Sequence, residues 1–355
     1  MKAIVLKCRP GGRFHFGKYA PDDDTALNDS DEFMRSDTLF AALVNICQDC
    51  FGEAQQMVDA FASGQIKISS LFYCLEQNQK YIWLLPKPVS FNLTETQDYK
   101  SFRSIKFISK KVWETIINPA QLTDSSLYKR LGKKGDTIVG SDEIKFAAGE
   151  KDETLFSSIE IYKTETLPKV RVRDTFKERG IYQLTVTEIA DNRQATEDLL
   201  VHYYFLAETS GLAQNLEEQL LTTLNMLPYT GIGAERSTIG KIEGIEIIED
   251  WKLSMKDEDA IHEATLSLLS PVTEDLNKMM YYKTILRGGR RIGRSETDEK
   301  KNQYLESVRM ATEGAIVQKN ISGQLADVSP QKNKSFLRNG MPLCLPVRLP
   351  WIPQL

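Results

Sequence analysis

RSDTLFAALVNICQDCFG, residues 35–52, decides how the first half of the chain reads. Leu39, Phe40, Leu43, Val44 and Ile46 recur at helical spacing, Ser36 offers an N-cap, and Asp37 suits the first turn. A second helical stretch, 54–62, follows Gly52. Upstream, residues 2–7 alternate loosely and read as a strand, separated from the helix by a long loop rich in Gly, Asp and Pro. Downstream, residues 66–75 and 81–85 read as a hairpin around Glu76, Gln77, Asn78 and Gln79. Strand, helix, strand, strand is the opening of a ferredoxin-like β-α-β-β-α-β unit.

Farther out the pattern loosens. Residues 101–108 predict a strand and 110–117 a short helix. Residues 119–178 are polar and turn-rich, with strand-like pieces at 137–139, 155–161 and 170–172. A long insertion of that kind is usually functional or disordered. IYQLTVTEI, 181–189, is a strand placed to close a first domain, and Asp191, Asn192 and Arg193 read as a linker. A second cycle then starts at Leu200: the strand-like run LLVHYYFLAE, an amphipathic helix over 212–224, a glycine-rich loop over 229–240, and strands at 242–248, 264–269, 281–286 and 307–312. The expected class is α+β, with one domain over 1–195, an insertion at about 119–178, and a second domain over 196–355.

Composition sets limits. The chain has 355 residues, 41% hydrophobic and 26% charged, enough for two ordinary cores. No run approaches the roughly 20 apolar residues that span a bilayer, and the start, MKAIVLKCRPGGRF, lacks a signal-peptide layout. The expected location is the cytoplasm, with no membrane partner. Cys47 and Cys50 form the one C-x-x-C, without the second pair or nearby histidines that zinc needs, so they read as reduced helix cysteines and no metal is expected. The net charge of −4 argues against indiscriminate coating of nucleic acid. The charge is zoned, however. Residues 100–134 hold nine bases against two acids, and 281–294 hold five bases and no acid. Residues 22–32 hold six acids and no base, and 243–263 hold eight acids against two bases. Such zoning suits one face for phosphate and another for protein or solvent.

Several segments carry binding chemistry. In GIGAERSTIG, 231–240, Gly231, Gly233 and Gly240 permit positive φ and close backbone approach, so successive N–H groups can face an anion. Arg236 adds charge, Ser237 and Thr238 add hydroxyls, and Ile232, Ala234 and Glu235 complete the loop. RPGGRFHFGK, 9–18, mixes Arg9, Arg13 and Lys18 with Phe14, His15 and Phe16, which suits phosphate contact plus base stacking if the rings face outward. FRSIKFISKK, 102–111, with Arg103, Lys106 and Phe107, has the same reading. Arg35, beside Ser36, is placed to meet a phosphate at a helix terminus. The rival reading is a metal-independent endoribonuclease using His15 as general acid and base, although no partner for it can be assigned. The Asp22 to Asp24 run reads as a solvated loop, and GGRRIGRS, 288–295, lacks the phosphate-loop lysine and a following apolar helix face.

Four segments, in order, carry a family resemblance. RSDTLFAAL (35–43), GIGAERSTIGK (231–241), YYKTILRGGRR (281–291) and the closing stretches GQLADVSP (323–330) and NGMPLCLPV (339–347) resemble the subunit-four RAMP protein of type III-A, Csm-type CRISPR effector complexes. The resemblance implies two ferredoxin-like, RRM-like RAMP domains with an inserted β-hairpin thumb. It also implies a non-catalytic subunit with no cofactor. Such a subunit grips the repeat-derived 5′ tag of the guide RNA near the target RNA, and contacts a large polymerase-like subunit and a backbone RAMP subunit. Arg287 and Arg290 join the expected RNA contacts in the third segment. In the thumb, Lys169, Arg171 and Arg173 would share one strand face, since strands have a period of two. If the glycine loop is a surface element, Gly233→Val should impair RNA binding without unfolding the chain.

Overall fold

The structure is a computed structural model. It describes residues 1–18, 29–93, 103–115, 124–146, 153–171, 180–193, 195–196, 198–236, 238–254, 260, 262–290, 304–330 and 336–347.

The chain starts with β1 (Lys2–Lys7) and the short β2 (Arg13–Phe14). Helix α1 (Ser36–Phe51) buries Leu39, Phe40, Leu43, Ile46 and Cys47, the stripe its periodicity predicts, and ends at Gly52, whose φ of 78° closes the C-terminus. Its N-cap is Arg35, and Ser36 is the first helical residue. Helix α2 (Gln55–Ala62), β3 (Ile66–Ile68), β4 (Phe72–Gln77) and β5 (Lys80–Pro86) follow. The β4–β5 turn places Asn78 and Gln79 at positive φ, as a tight hairpin demands.

The chain over 107–189, which contains the insertion expected at 119–178, does two different things. Strands β6 (Phe107–Ser109), β7 (Tyr128–Leu131) and β8 (Thr137–Gly140) extend the main sheet past β5. Strands β9 (Tyr162–Arg171) and β10 (Gly180–Ile189) form a long antiparallel hairpin whose far end exposes the facing pair Val170 and Ile181. The run 181–189 therefore pairs with β9 and β2, and does not close the first sheet.

Strand β11 (Leu200–Thr209), helix α3 (Gln214–Thr230) and β12 (Gly244–Ile248) come next. The sheet order is β12-β1-β11-β4-β5-β6-β8-β7, with β3 also on β11. β11 lies antiparallel between β1 and β4, and β12 antiparallel on the outer side of β1. The path β1-α1-β4-β11-α3-β12 is thus one β-α-β-β-α-β unit. The division expected at 195/196 cuts through it: the run at Leu200 is the third strand of the first unit, not the first of a second. Strand β11 is buried along most of its length, as a central strand must be. Its Tyr203 and Tyr204 are fully buried, and their hydroxyls donate to the carbonyls of Glu32 (3.2 Å) and Leu84 (3.0 Å).

The rest of the chain builds smaller sheets. β13 (His262–Thr265), β14 (Met279–Tyr281), β17 (Ile316–Gln318) and β20 (Cys344–Val347) form a four-stranded sheet in the order β14-β17-β13-β20. β15 (Thr284–Arg290) pairs with β16 (Tyr304–Ala311), and β18 (Gln324–Asp327) with β19 (Leu337–Gly340). This part docks on the start of α1 and on β4's approach: Leu268 N–H donates to Ser36 Oγ at 3.0 Å, and Ser70 N–H to the Leu266 carbonyl at 2.9 Å.

Candidate nucleic-acid interface

Three segments far apart in sequence meet at the base of the β9–β10 hairpin. Residues 9–18 dock on β10, with Gly11 N–H on the Ile189 carbonyl (2.9 Å) and Ile189 N–H on that of Gly12 (2.8 Å). The glycine loop docks on the other side of the same segment, through Gly240 N–H to Arg13 (2.7 Å) and Ala234 N–H to His15 (3.0 Å). Ile239 of the loop packs with Leu184 and Val186 of β10. Arg9, Lys18 and Arg236 are exposed on this assembly, together with Ala234, Glu235 and Thr238. Lys18 reaches Asp29 at 2.9 Å.

Most of the ring-bearing positions face inward. Phe14 and Phe16 stack on each other at 5.9 Å and meet Tyr203 edge-on at 5.2 and 5.7 Å, so neither offers a face to a base. His15 is 1% exposed, and its Nδ1–H donates to the Thr185 carbonyl at 2.7 Å. A general acid–base histidine must reach its substrate, so the endoribonuclease reading loses its only candidate base. Phe107 is buried edge-on against Tyr73. Arg13 keeps partial exposure but is held by Glu188 (2.7 Å) and Glu165 (3.2 Å). Burial would raise the Glu188 carboxyl, but Lys163 and Arg13 outweigh it and hold it below the usual range.

The loop glycines serve the backbone first. Gly231, Gly233 and Gly240 have φ of 68°, 86° and 76°, and a Cβ on Gly233 would lie 2.6 Å from the His15 carbonyl oxygen. The N–H groups of Ile232, Ala234, Thr238, Ile239 and Gly240 already donate to carbonyls, which leaves fewer for an anion than an open nest would have. Ile232 is fully buried.

The α1 terminus is not a phosphate site. Arg35, half-buried, is held between Asp31 (3.0 Å) and Glu313 (2.5 Å). Asp37, fully buried, accepts from Arg287 (2.9 and 3.1 Å) and Arg338 (2.5 Å). Three cations and three carboxylates thus balance at the seam between α1 and the β15–β19 region, and Arg35, Ser36 and Arg287 are spent there. No sequence signal could have named Glu313 or Arg338, because they lie 278 and 301 residues from their partners.

The remaining positions scatter. Lys169 is half-exposed on β9 opposite Tyr182, with Arg171 two residues on along the strand. Arg290 ends β15. Arg103 is exposed, and Lys106 is bonded to Glu32 and to the Tyr162 hydroxyl. Arg173, Ser237 and the Asp22 to Asp24 run lie outside the described residues. Among the described residues no group of three His, Cys, Asp or Glu side chains is placed to hold a metal ion, and no helix is long and apolar enough to cross a membrane.

Comparison with known proteins fits this architecture. Residues 258–347 match the family described as the CRISPR Csm4 C-terminal domain. A protein of Methanocaldococcus jannaschii, CRISPR system Cms protein Csm4, is 24% identical over 364 residues, covering 94% of this chain and 90% of that protein. Among solved structures, a chain of the Csm3–Csm4 subcomplex in the type III-A CRISPR-Cas interference complex superposes with a TM-score of 0.69 at 21% identity, covering 98% of this chain and 99% of that one. A chain of the Csm1–Csm4 cassette in complex with cA4 gives 0.54 at 18% identity, covering 99% of each. From end to end, then, the chain resembles the Csm4 protein of type III-A CRISPR complexes, as its segments at 35–43, 231–241, 281–291 and 323–347 implied.

Proposed function

We propose that this chain is the Csm4-type subunit of a cytoplasmic type III-A CRISPR effector, that it caps the guide RNA by gripping the 5′ tag, and that it links a Csm1-type large subunit to a Csm3-type backbone beside the target RNA. The β-α-β-β-α-β unit is its first RAMP domain, residues beyond β12 supply the second, and the β9–β10 hairpin is the thumb. The observation that carries the reading is the convergence of residues 9–18, the glycine loop and the hairpin base on one surface with exposed Arg9 and Arg236. A single-stranded tag needs such cations for its phosphates. The chain does no chemistry of its own.

Two measurements test this. Each phosphate contact on single-stranded RNA contributes about 0.7 to the slope of log affinity against log salt. Arg236→Ala should weaken tag-RNA binding and reduce that slope by about 0.7, with the melting temperature unchanged. The same affinity and slope in a folded variant would move the tag site away from this loop. Purified protein should also cleave neither repeat RNA nor target RNA, with or without divalent metal. Specific cleavage lost in His15→Ala would overturn the non-catalytic reading.

A further inference from the structure

The first strand ends against a buried histidine. His202 of β11 is 3% exposed, and both of its ring nitrogens are bonded. Cys8 N–H, the first backbone donor beyond β1, donates to Nδ1 (3.0 Å), and Nε2–H donates to Glu76 of β4 (2.9 Å). An amide N–H needs a bare ring nitrogen, so this ring is neutral and carries its hydrogen on Nε2. Glu76 also holds Lys7 Nζ (2.8 Å), which meets Glu246 of β12 (2.9 Å) and the Tyr81 hydroxyl of β5. Cys74 faces His202 in the β4–β11 register, and Asp198 lines with Glu76 a cleft open to solvent. Just beyond Cys8 lies Arg9, the start of the segment on which the glycine loop docks.

We infer that His202 is a positioning residue for RNA binding: its neutral ring anchors Cys8 and so sets the start of residues 9–18, and a proton taken up at Nδ1 releases that anchor. This rests on the proposal that the 9–18 surface grips RNA, and it adds a control on that same surface. A proton on Nδ1 would put two N–H donors face to face, and the Cys8 bond could not survive it. Burial outweighs the Glu76 bond and, with the Lys7 ammonium, holds the ring below the usual histidine range. The anchored form is therefore fully present above the unfolded histidine value of about 6.5, and is lost as pH falls through the depressed folded value.

The test uses the full chain between pH 8 and pH 5. His202→Asn keeps an acceptor for Cys8 N–H, as an amide oxygen, and does not titrate. His202→Leu removes the acceptor. Amide hydrogen exchange over residues 8–18, compared as protection factors, should show wild type losing protection as pH falls, His202→Asn keeping it, and His202→Leu lacking it throughout. Tag-RNA affinity should follow, falling in wild type relative to His202→Asn by up to about tenfold per pH unit, the limit for one linked proton. An added positive charge acting only through its field would tighten RNA binding, so a relative rise in wild-type affinity at low pH would overturn the inference. So would matching wild-type and His202→Asn profiles. If the variants melt early, nitrogen NMR of the wild-type imidazole decides. A bare Nδ1 at pH 8, with the ring and the Cys8 amide titrating together, is expected, and an Nδ1–H tautomer would overturn the inference. Wild type that binds no tag RNA at any pH, yet shows the expected exchange, would overturn the RNA reading and leave the anchor standing.

Discussion

Asp37→Ala should lower the stability of the protein by about 3–5 kcal/mol, read as an early midpoint in chemical denaturation. The carboxylate is fully buried and holds Arg287 and Arg338. Removing it leaves Arg287 with the more distant Asp31 carboxylate at 3.9 Å and strips Arg338 of the Asp37 carboxylate, and an undercompensated buried charge costs far more than the pair contributes. Asp37→Asn should be milder, since the amide oxygen can still accept one of the bonds. The same cluster sets an acid limit. Burial would raise the Asp37 carboxyl, yet Arg287 and Arg338 outweigh it and hold it far below the usual carboxylate range. Its folded value is thus depressed relative to about 3.9 when unfolded. The stabilisation is fully present above that unfolded value and is lost as pH falls below it toward the folded one. Wild type should lose stability below about pH 4 more steeply than Asp37→Asn. Equal midpoints for wild type and Asp37→Ala would show that the cluster does not hold the two parts together.

Gly233→Val should be the second large effect, and it acts on folding. At φ of 86°, with the His15 carbonyl 2.6 Å from any Cβ, a branched residue meets both backbone strain and a clash with a fixed oxygen. Positive φ costs an ordinary residue about 1–2 kcal/mol, and overpacking about 1–3 kcal/mol. A loss of roughly 2–5 kcal/mol follows, with Gly233→Ala at the lower end. The sequence alone suggested a variant that folds and fails to bind. The structure replaces this with one that loosens the seam between the loop and residues 9–18. An unaltered denaturation midpoint in Gly233→Val would restore the surface-loop picture.

What the sequence made legible was local. The stripe Leu39, Phe40, Leu43 and Ile46 announces α1, Gly52 announces its end, and the β4–β5 hairpin shows in two apolar runs around a polar turn. Partner choice was not legible. Strand β11 looks like the start of something new because nothing in LLVHYYFLAE says that it pairs with residues 2–7 and 72–77. Residues 119–178 lumped together strands that extend the sheet and one arm of a projecting hairpin, since the stretch as a whole is polar and turn-rich and does not show which piece pairs with which. At the site, residue type misled wherever burial reversed its meaning. Arg35, Phe14 and His15 have the chemistry of RNA contacts, but the fold buries Phe14 and His15 and commits Arg35 to an ion pair with Glu313.

The interleaving of β11 between β1 and β4 also shapes how the chain is made. Leu200 emerges from the ribosome 123 residues after Gln77 (200 minus 77). At about 5–20 residues per second, that is roughly 6–25 s of translation. Throughout that interval β1 and β4 are both synthesised while the strand that joins them does not yet exist. Two apolar edges must wait, and waiting edges invite pairing with another chain. The nascent protein is therefore most exposed to misassembly before its middle strand arrives, and the long intervening hairpin lengthens that window.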